Sequence, residues 1–304
     1  MKMDQITKNL LKEIAGLHDV PSGAVSFRKN GKGQVVRSTE NIKITPKDDG
    51  SGIDIFISSN CKGEACHLPV IVTENGLFDL VYNDFYVEAG AEVTIVAGCG
   101  LHSGQDGGHD GIHTFHIGKG ARVTYVENHF ATGTGKNKQL NPTTIIKMEE
   151  NSSLAMNTTQ IGGVDYSNRS TKATLKDGAV LTVNEKIVTN RFDVAKSDFF
   201  VKLKGANSRC TIASRSVAKG ESEQQFKSNL VGENACFGRV ECDGILLDDA
   251  RIFSIPKISA KHKLAELSHE AAVGKIAGEQ IVKLMTLGLT QAEAENKIIE
   301  GFLK

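Results

Sequence analysis

The sequence contains no tryptophan, only four tyrosines and only five prolines among its 304 residues, whereas glycine occurs 31 times. Many glycines with few prolines are typical of short strands that are joined by repeated tight turns. The scarcity of large aromatic rings argues against a sugar-binding groove. A chain of this length suits one large all-β domain or two ordinary domains.

The chain also lacks net charge, because 36 Lys and Arg residues balance 36 Asp and Glu residues. A balanced charge gives no electrostatic footprint for nucleic acid or for an anionic membrane, and neither partner is expected. The N-terminal sequence MKMDQITKNLLKEIAGL has no apolar run of the signal-peptide type, and no stretch approaches membrane-spanning length. We therefore expect a cytoplasmic protein whose six cysteines are reduced and mostly buried.

The first fifty residues predict a helical or irregular N-terminal segment. Residues 4–16 have the periodicity of an amphipathic helix, with Leu10 and Ile14 on its apolar side and Gly16 at its end. The polar stretch that follows predicts a hairpin or an irregular connection.

Residues 51–262 consist of short runs in which β-branched and polar residues alternate, a pattern that predicts strands. A common prelude, a turn residue before the strand, recurs at intervals of 30, 31, 27, 27 and 27 residues, at Gly90, Gly120, Asn151, Gly178, Gly205 and Gly232. A near-constant interval indicates a repeat architecture in which stacked coils share one core. We therefore predict a mainly β fold, a β-solenoid, with glycine at the corners.

Residues 263–304 have helical periodicity and predict a C-terminal helical segment. Gly288 suits the C-terminal cap of one helix, and Thr290 with Glu293 forms a capping box for the next. Such a helix pair would cover the open end of the solenoid, dock a partner, or do both.

Three groups of residues have the chemistry of a metal or sulfur site. The sequence CKGEACH brings together Cys61, Cys66 and His67, although its spacing is looser than that of a zinc ribbon. Residues 99–118 contain Cys99, His102 and three further histidines; a mobile polar loop is the alternative interpretation.

The third group is divided along the chain. Cys242 lies on a predicted strand, and His269 and Glu270 lie where the helical pattern begins, 27 residues later. One repeat of the solenoid returns the chain beside its starting strand, so the thiol, imidazole and carboxylate can meet as metal ligands or as a Cys–His nucleophile pair. A buried cysteine and a helix-capping Ser-His-Glu explain the same residues, and spacing alone favours that structural interpretation.

The sequences CDGILL and AELSHEAAVGKIAGEQIVKLMTLGLTQAEAENKIIEGFL resemble the C-terminal signature of the SufB/SufD family of iron–sulfur cluster assembly scaffolds. The resemblance implies a right-handed parallel β-helix that dimerises, C-terminal helices that bind the ABC-type ATPase SufC, and sulfur supplied by a cysteine desulfurase. It implies that Cys242, His269 and Glu270 surround a transient cluster at the subunit interface. Flavin binding follows from the resemblance alone and has no sequence support here.

The chain is shorter than the usual SufB and lacks the N-terminal cysteine motif of many SufB proteins, so it resembles a compact SufBD form. We expect a non-enzymatic scaffold that pairs with itself or with a paralogue. Cys61, Cys66, His67, Cys99 and His102 are additional candidates that no family motif supports. Two alternatives remain: an ATPase adaptor without its own cluster, and a metal-dependent β-helix enzyme.

Overall fold

A computed structural model describes residues 3–304, and its strands wind into a β-solenoid of about eight turns. Each turn contributes one strand to each of two sheets, and consecutive strands of a sheet pair in parallel over most of the chain. The predicted repeat architecture is therefore confirmed. No helix within residues 3–304 is both long enough and apolar enough to cross a membrane.

The helices are α1 (Gln5–Ala15), α2 (Gly278–Met285) and α3 (Gln291–Phe302). The first sheet contains, in spatial order, β2 (Lys32–Arg37), β1 (Ala24–Lys29), β5 (Lys62–Val72), β7 (Glu92–His102), β9 (Arg122–Thr132), β12 (Ser153–Ile161), β14 (Val180–Thr189), β16 (Arg209–Ala218), β18 (Cys236–Leu246) and β20 (Ala265–Lys275). The second contains β3 (Ile42–Pro46), β4 (Gly52–Ile57), β6 (Phe78–Val87), β8 (Gly107–Ile117), β10 (Lys138–Leu140), β11 (Thr143–Met148), β13 (Tyr166–Leu175), β15 (Val194–Leu203), β17 (Glu223–Gly232) and β19 (Arg251–Ala260).

Four of the six predicted corners are occupied by residues in the left-handed backbone conformation, and the exceptions are Gly205 and Gly232. Gly90, Gly120 and Gly178 have φ values of 70°, 65° and 64°, and Asn151 has a φ of 56°. Glycine tolerates this conformation without a steric cost, and asparagine tolerates it better than most residues do. In the next coil Asn207, with a φ of 58°, takes the left-handed position instead of the predicted Gly205.

The N-terminal segment agrees with the helix prediction, since Asp4 caps α1 and Gly16 ends it with a φ of 65°. The polar stretch forms the antiparallel hairpin β1–β2, and β1 also pairs in parallel with β5. Helix α1 packs on the outer face of β7, where Gly98 leaves room for its backbone. Two strands that the sequence assigned to a separate segment therefore belong to the first sheet.

The close approach of α1 gives a prediction for Gly98→Ala. An added Cβ would lie 2.7 Å from the carbonyl oxygen of Ile14 and 2.9 Å from that of Asn128. We expect the free energy of unfolding to fall by about 1–3 kcal/mol and amide exchange in α1 to speed up. In the control Gly23→Ala the nearest atom is 3.7 Å away, and both measurements should stay close to wild type. Equal losses in the two variants would contradict this account of the packing.

The C-terminal end differs from the prediction in two ways. Residues 265–275 form β20, which pairs with β18 along its whole length, so the helical segment begins at Gly278 rather than at 263. Parallel pairing with a preformed strand overrides the helical periodicity of this stretch. The helices also do not cover the open end, because no residue of α2 is buried and β19 and β20 stay exposed. The capping box of Thr290 and Glu293 is confirmed.

Candidate functional site

Cys242 and His269 lie on neighbouring strands at the open end of the solenoid. In the pairing of β18 with β20, His269 is opposite Val240 and Ala271 is opposite Cys242. Val240 and Cys242 are buried and His269 is half-buried, so both candidate side chains point to the inner face. Strands 4.8 Å apart with a two-residue offset place the two Cα atoms about 8 Å from each other. The structure thus brings the thiol and the imidazole together.

Glu270 does not join them. Successive side chains of a strand point to opposite faces, and Glu270 projects outward, where its carboxylate accepts a hydrogen bond from Arg239 at 3.0 Å. Arg239 also forms an ion pair with Glu241 at 2.6 Å. The carboxylate of Glu270 is therefore part of an outer ion-pair group beside the inner site.

The imidazole is in a state that suits metal binding, whereas the thiol is protonated. Burial raises the pKa of the Cys242 thiol to about 11, an effect that the neighbouring Ser254 hydroxyl partly offsets. Burial lowers the pKa of His269, which keeps the imidazole neutral, and its Nε2 atom is buried without a hydrogen-bond partner. A neutral imidazole with a free nitrogen is a ready ligand, whereas the thiol must lose its proton to a metal that binds it.

One chain does not complete a metal site at this position. Within residues 3–304, no group of three or more His, Cys, Asp or Glu side chains is arranged to hold a metal ion. Iron–sulfur clusters usually have four protein ligands, so Cys242 and His269 form half of a typical set.

The candidates Cys61, Cys66 and His67 lie at the other end of the solenoid. Six strand spacings separate β5 from β18 in the first sheet, which is about 29 Å. Cys61 and Cys66 are fully buried, and burial raises the pKa of Cys66 to about 12. His67 points to the opposite face from Cys66, so the structure does not gather the three side chains around one point.

Cys99 and His102 are also separated by the alternation of their strand. Cys99 is buried on the inner face of β7, where burial raises its pKa well above the usual value. His102 is half-buried and its Nδ1 atom lies 2.7 Å from the Thr132 hydroxyl. All six cysteines are buried and unpaired, as predicted.

The histidine-rich segment is not a mobile loop, which corrects the alternative interpretation of residues 99–118. Most of it forms β7 and β8, and His109 and His113 are buried inside the solenoid. His116 lies on the outer face, as the alternation of a strand predicts for a residue three positions after His113. The parallel pairing of β8 with β6 and β11 satisfies the backbone of a segment that glycine would otherwise leave flexible.

A row of polar side chains runs inside the solenoid to Cys242. The in-register residues on five successive strands of the first sheet are buried, and they are Glu127, Thr158, Glu185, Ser214 and Cys242. This row was not predicted from the sequence. The available signal was a polar residue at one inward position of each coil, repeated every 27 to 31 residues.

Arg169 joins two members of the row from the opposite sheet. Its guanidinium pairs with the Glu127 carboxylate and lies 3.6 Å from that of Glu185. Although burial opposes ionisation, Arg169 holds the pKa of Glu127 well below its usual range. Burial dominates at Glu185 and raises its pKa, while the Ser214 hydroxyl donates a hydrogen bond to it at 3.0 Å.

A cavity of about 170 Å³ lies where this polar interior meets the N-terminal strands. Its lining includes Arg28, Cys99, His109, His113 and Glu127. Burial lowers the pKa of His113 to about 4, so its ring is neutral at physiological pH. The polar row therefore extends from this cavity to the open end, within an interior that is otherwise an apolar core.

Comparison with known proteins gives a family match over three quarters of the chain. The model of the SufBD core domain, described as "SUF system FeS cluster assembly", matches residues 75–302. An iron–sulfur cluster assembly SufBD family protein of Archaeoglobus fulgidus is 33% identical over 226 residues, which cover 74% of this chain and 60% of that protein.

Two further relatives carry the same family description. The protein of Methanocaldococcus jannaschii is 27% identical over 243 residues, covering 78% of this chain and 75% of its own length. A protein of Methanothermobacter thermautotrophicus is 29% identical over 246 residues, covering 79% of this chain and 58% of its own length. The chain thus spans less than two thirds of the Archaeoglobus and Methanothermobacter relatives.

Proposed function

The chain belongs to the SufBD family of iron–sulfur cluster assembly proteins, and from this membership we propose that it is a scaffold subunit on which a nascent cluster is built. Iron and sulfide are its cargo, and the role is not enzymatic. One observation carries the proposal: Cys242 and His269 share the inner face of two neighbouring strands at the exposed end of the solenoid. These side chains are of the kinds that bind iron in biological clusters.

A second copy of the chain is the proposed source of the missing ligands. Strand β20 is the last strand of its sheet, so one of its edges has unpaired backbone groups, and its side chains are largely exposed. Two copies that meet end to end around a two-fold axis present the same surface to each other. Their two Cys242 and two His269 side chains then surround one site with four ligands. A paralogue as partner would instead leave the chain alone in solution as a monomer.

Anaerobic reconstitution of the full chain with ferrous iron and sulfide tests the scaffold role. The proposal predicts a sulfide-to-iron charge-transfer absorption and matching amounts of iron and labile sulfide on the protein. A chain that stays colourless and metal-free, although it remains folded, would instead support the adaptor role without a cluster. Sulfur from a cysteine desulfurase is the proposed physiological source, and the reduced thiols suit the cytoplasm.

The C-terminal helices are the proposed docking site for a SufC-like ABC ATPase. Helices α2 and α3 pack against each other, while Val282, Met285 and Leu287 are exposed. Exposed apolar side chains at consecutive turns suit a helix that lies in a groove of a partner. The helices follow β20 directly, so movement of the ATPase would act on the strand that carries His269.

This docking site predicts the effect of Val282→Asp. A carboxylate at the centre of an apolar contact would be desolvated without a partner, so we expect ATPase affinity to fall roughly tenfold or more. Pull-down and calorimetry with a co-expressed SufC-like ATPase measure the change. The control Lys43→Ala alters an exposed residue of β3, at the opposite end of the solenoid, and it should bind normally. Normal binding by Val282→Asp would place the ATPase elsewhere.

A further inference from the structure

Six lysines project from the outer face of the second sheet on five neighbouring strands. They form what we call the lysine face: Lys147 on β11, Lys172 on β13, Lys196 and Lys202 on β15, Lys227 on β17 and Lys257 on β19. Their positions alternate with buried residues along β11, β13, β15 and β17, which sets them on the solvent side. The solenoid therefore gathers into one surface residues that lie up to 110 positions apart in the sequence.

The lysine face has an excess of positive charge although the chain as a whole has none. Within residues 3–304, none of the six ammonium groups forms an ion pair or a side-chain hydrogen bond. Two acidic residues share this part of the sheet, and one of them, Glu223, is paired with Arg251 at 3.7 Å. Asp198 is the other, and it lies near the centre of the face. An overall charge balance conceals such a segregated surface.

The size of the lysine face fits a transient contact. Five strands at a spacing of about 4.8 Å extend about 19 Å, and the six residue steps from Lys196 to Lys202 extend about 20 Å along a strand. The product, about 400 Å² on one partner, is below the size of stable specific interfaces and is typical of weak, short-lived encounters. Contacts of this type depend on charge for their association rate and weaken as salt is added.

The position of the lysine face relates it to the open end. Lys257 is on β19, the strand that also carries Ser254, whose hydroxyl faces the Cys242 thiol. A protein bound here would lie beside the end of the solenoid. We propose that the lysine face docks an acidic protein that either supplies iron or sulfide to the site at the open end or receives the cluster from it. The positive surface does not depend on the proposed function, whereas the role of the partner as a donor or a recipient rests on it.

Two of the three aromatic rings of this face are half-buried beneath lysines, which does not favour a nucleic acid. The ammonium group of Lys196 lies 5.7 Å from the centre of the Tyr166 ring, and that of Lys202 lies 5.3 Å from the centre of the Phe200 ring. Proteins that bind single strands stack successive bases on free aromatic faces, and here lysines lie over Tyr166 and Phe200, while the exposed Phe253 lies on the edge strand β19. Lysine also lacks the forked donors with which arginine contacts phosphates in two places.

Apolar side chains are few on this face, which favours a protein over a membrane. Strands β13, β15 and β17 have no exposed large hydrophobic side chain on their outer side, and the edge strand β19 has two, Phe253 and Ile255. Stable binding to a bilayer needs apolar groups that insert between the lipids in addition to basic ones. A folded protein with an acidic face matches the charge of this surface.

The test measures binding of a fluorescently labelled apo-ferredoxin with a strongly acidic surface to the full chain. The double variant Lys172→Glu/Lys227→Glu reverses two exposed charges, and we expect about tenfold weaker binding at low salt. The difference should shrink as the ionic strength rises. The control Lys186→Glu reverses a charge on the outer side of β14, in the first sheet, and should bind within about twofold of wild type.

Duplex DNA and vesicles of phosphatidylcholine with phosphatidylglycerol are measured under the same conditions. Binding of the acidic protein that depends on the lysine face and exceeds binding of DNA and vesicles supports the proposal. Tighter binding of DNA or vesicles through the same lysines would overturn it, as would equal binding by the double variant and the control. Cluster loading of the double variant is measured in parallel and should be normal. If wild-type chain fails to load a cluster but still binds the acidic protein through the lysine face, the scaffold role fails and the docking surface stands.

Discussion

Replacing Cys242 with alanine is expected to leave the anaerobically reconstituted protein with background amounts of iron and labile sulfide. Cys242 is the cysteine that the structure places next to His269 at the open end. A thiolate contributes more to iron binding in these clusters than a neutral imidazole, so its removal cannot be offset by the remaining histidine. Iron and sulfide assays together with the visible absorption spectrum measure the loss.

The matched control for this prediction is Cys210→Ala. Cys210 is also fully buried on the inner face of the same sheet, one strand before β18, and burial raises its pKa to about 12. Its surroundings are apolar core, so the variant should load normally and lose only a small amount of stability. Loss of the cluster in both variants would indicate that core damage is responsible. Full loading of Cys242→Ala would remove Cys242 from the ligand set.

The second large effect concerns the buried row and is expected for Arg169→Met. Arg169 is the cation that compensates the fully buried Glu127, and it is close to Glu185. Removing one partner from a buried ion pair leaves an uncompensated charge, so we expect the free energy of unfolding to fall by about 3–5 kcal/mol at pH 7. In the control Arg122→Met, an exposed pair with Glu92 is lost, and the loss should be no more than about 1 kcal/mol.

The pH dependence of this difference follows from the direction of the pKa shift at Glu127. Its lowered pKa in the folded wild type contributes stability that is present above the pKa of the unfolded chain and is lost as the pH falls. In Arg169→Met the two carboxylates are buried without a cation, and protonation at low pH relieves them. Urea unfolding at pH 7 and pH 4 should therefore give a smaller difference at pH 4. A difference that grows as the pH falls would contradict the assignment of Arg169 as the compensating charge.

The repeat could be predicted from the sequence because it is local. Turn residues at Gly90, Gly120, Asn151 and Gly178 mark corners that need the left-handed conformation, and strand alternation between them needs only period two. The helical cap of α3 was predictable for the same reason, since Thr290 and Glu293 interact within one turn.

The features that were not predicted from the sequence depend on stacking between coils. The stretch from 265 to 275 has helical periodicity, but β18 offers it a strand to pair with, and the pairing decides its conformation. The row from Glu127 to Cys242 and the lysine face join residues from different coils, and their register is set only when the coils stack. Charge composition, which sums over the chain, could not reveal a surface that is positive on one side.

The candidate site could be predicted from the sequence only in part. The spacing in the sequence predicted that Cys242 and His269 lie one repeat apart. The resemblance of the C-terminal motif assigned a role to both residues. Neither indicates that Glu270 points away from them, which is decided by the alternation along β20. The same alternation places Cys66 and His67 on opposite faces of β5.

A mixed dimer tests most directly whether two protomers share one cluster site. One protomer is wild type, the other carries both Cys242→Ala and His269→Ala, and two different tags allow the mixed species to be purified before anaerobic reconstitution. A shared site keeps only two of its four ligands in this mixed dimer, so we predict iron and labile sulfide well below half of the wild-type amounts. A mixed dimer that holds half of the wild-type iron and sulfide would show that each protomer loads its own site, and the shared site would be wrong.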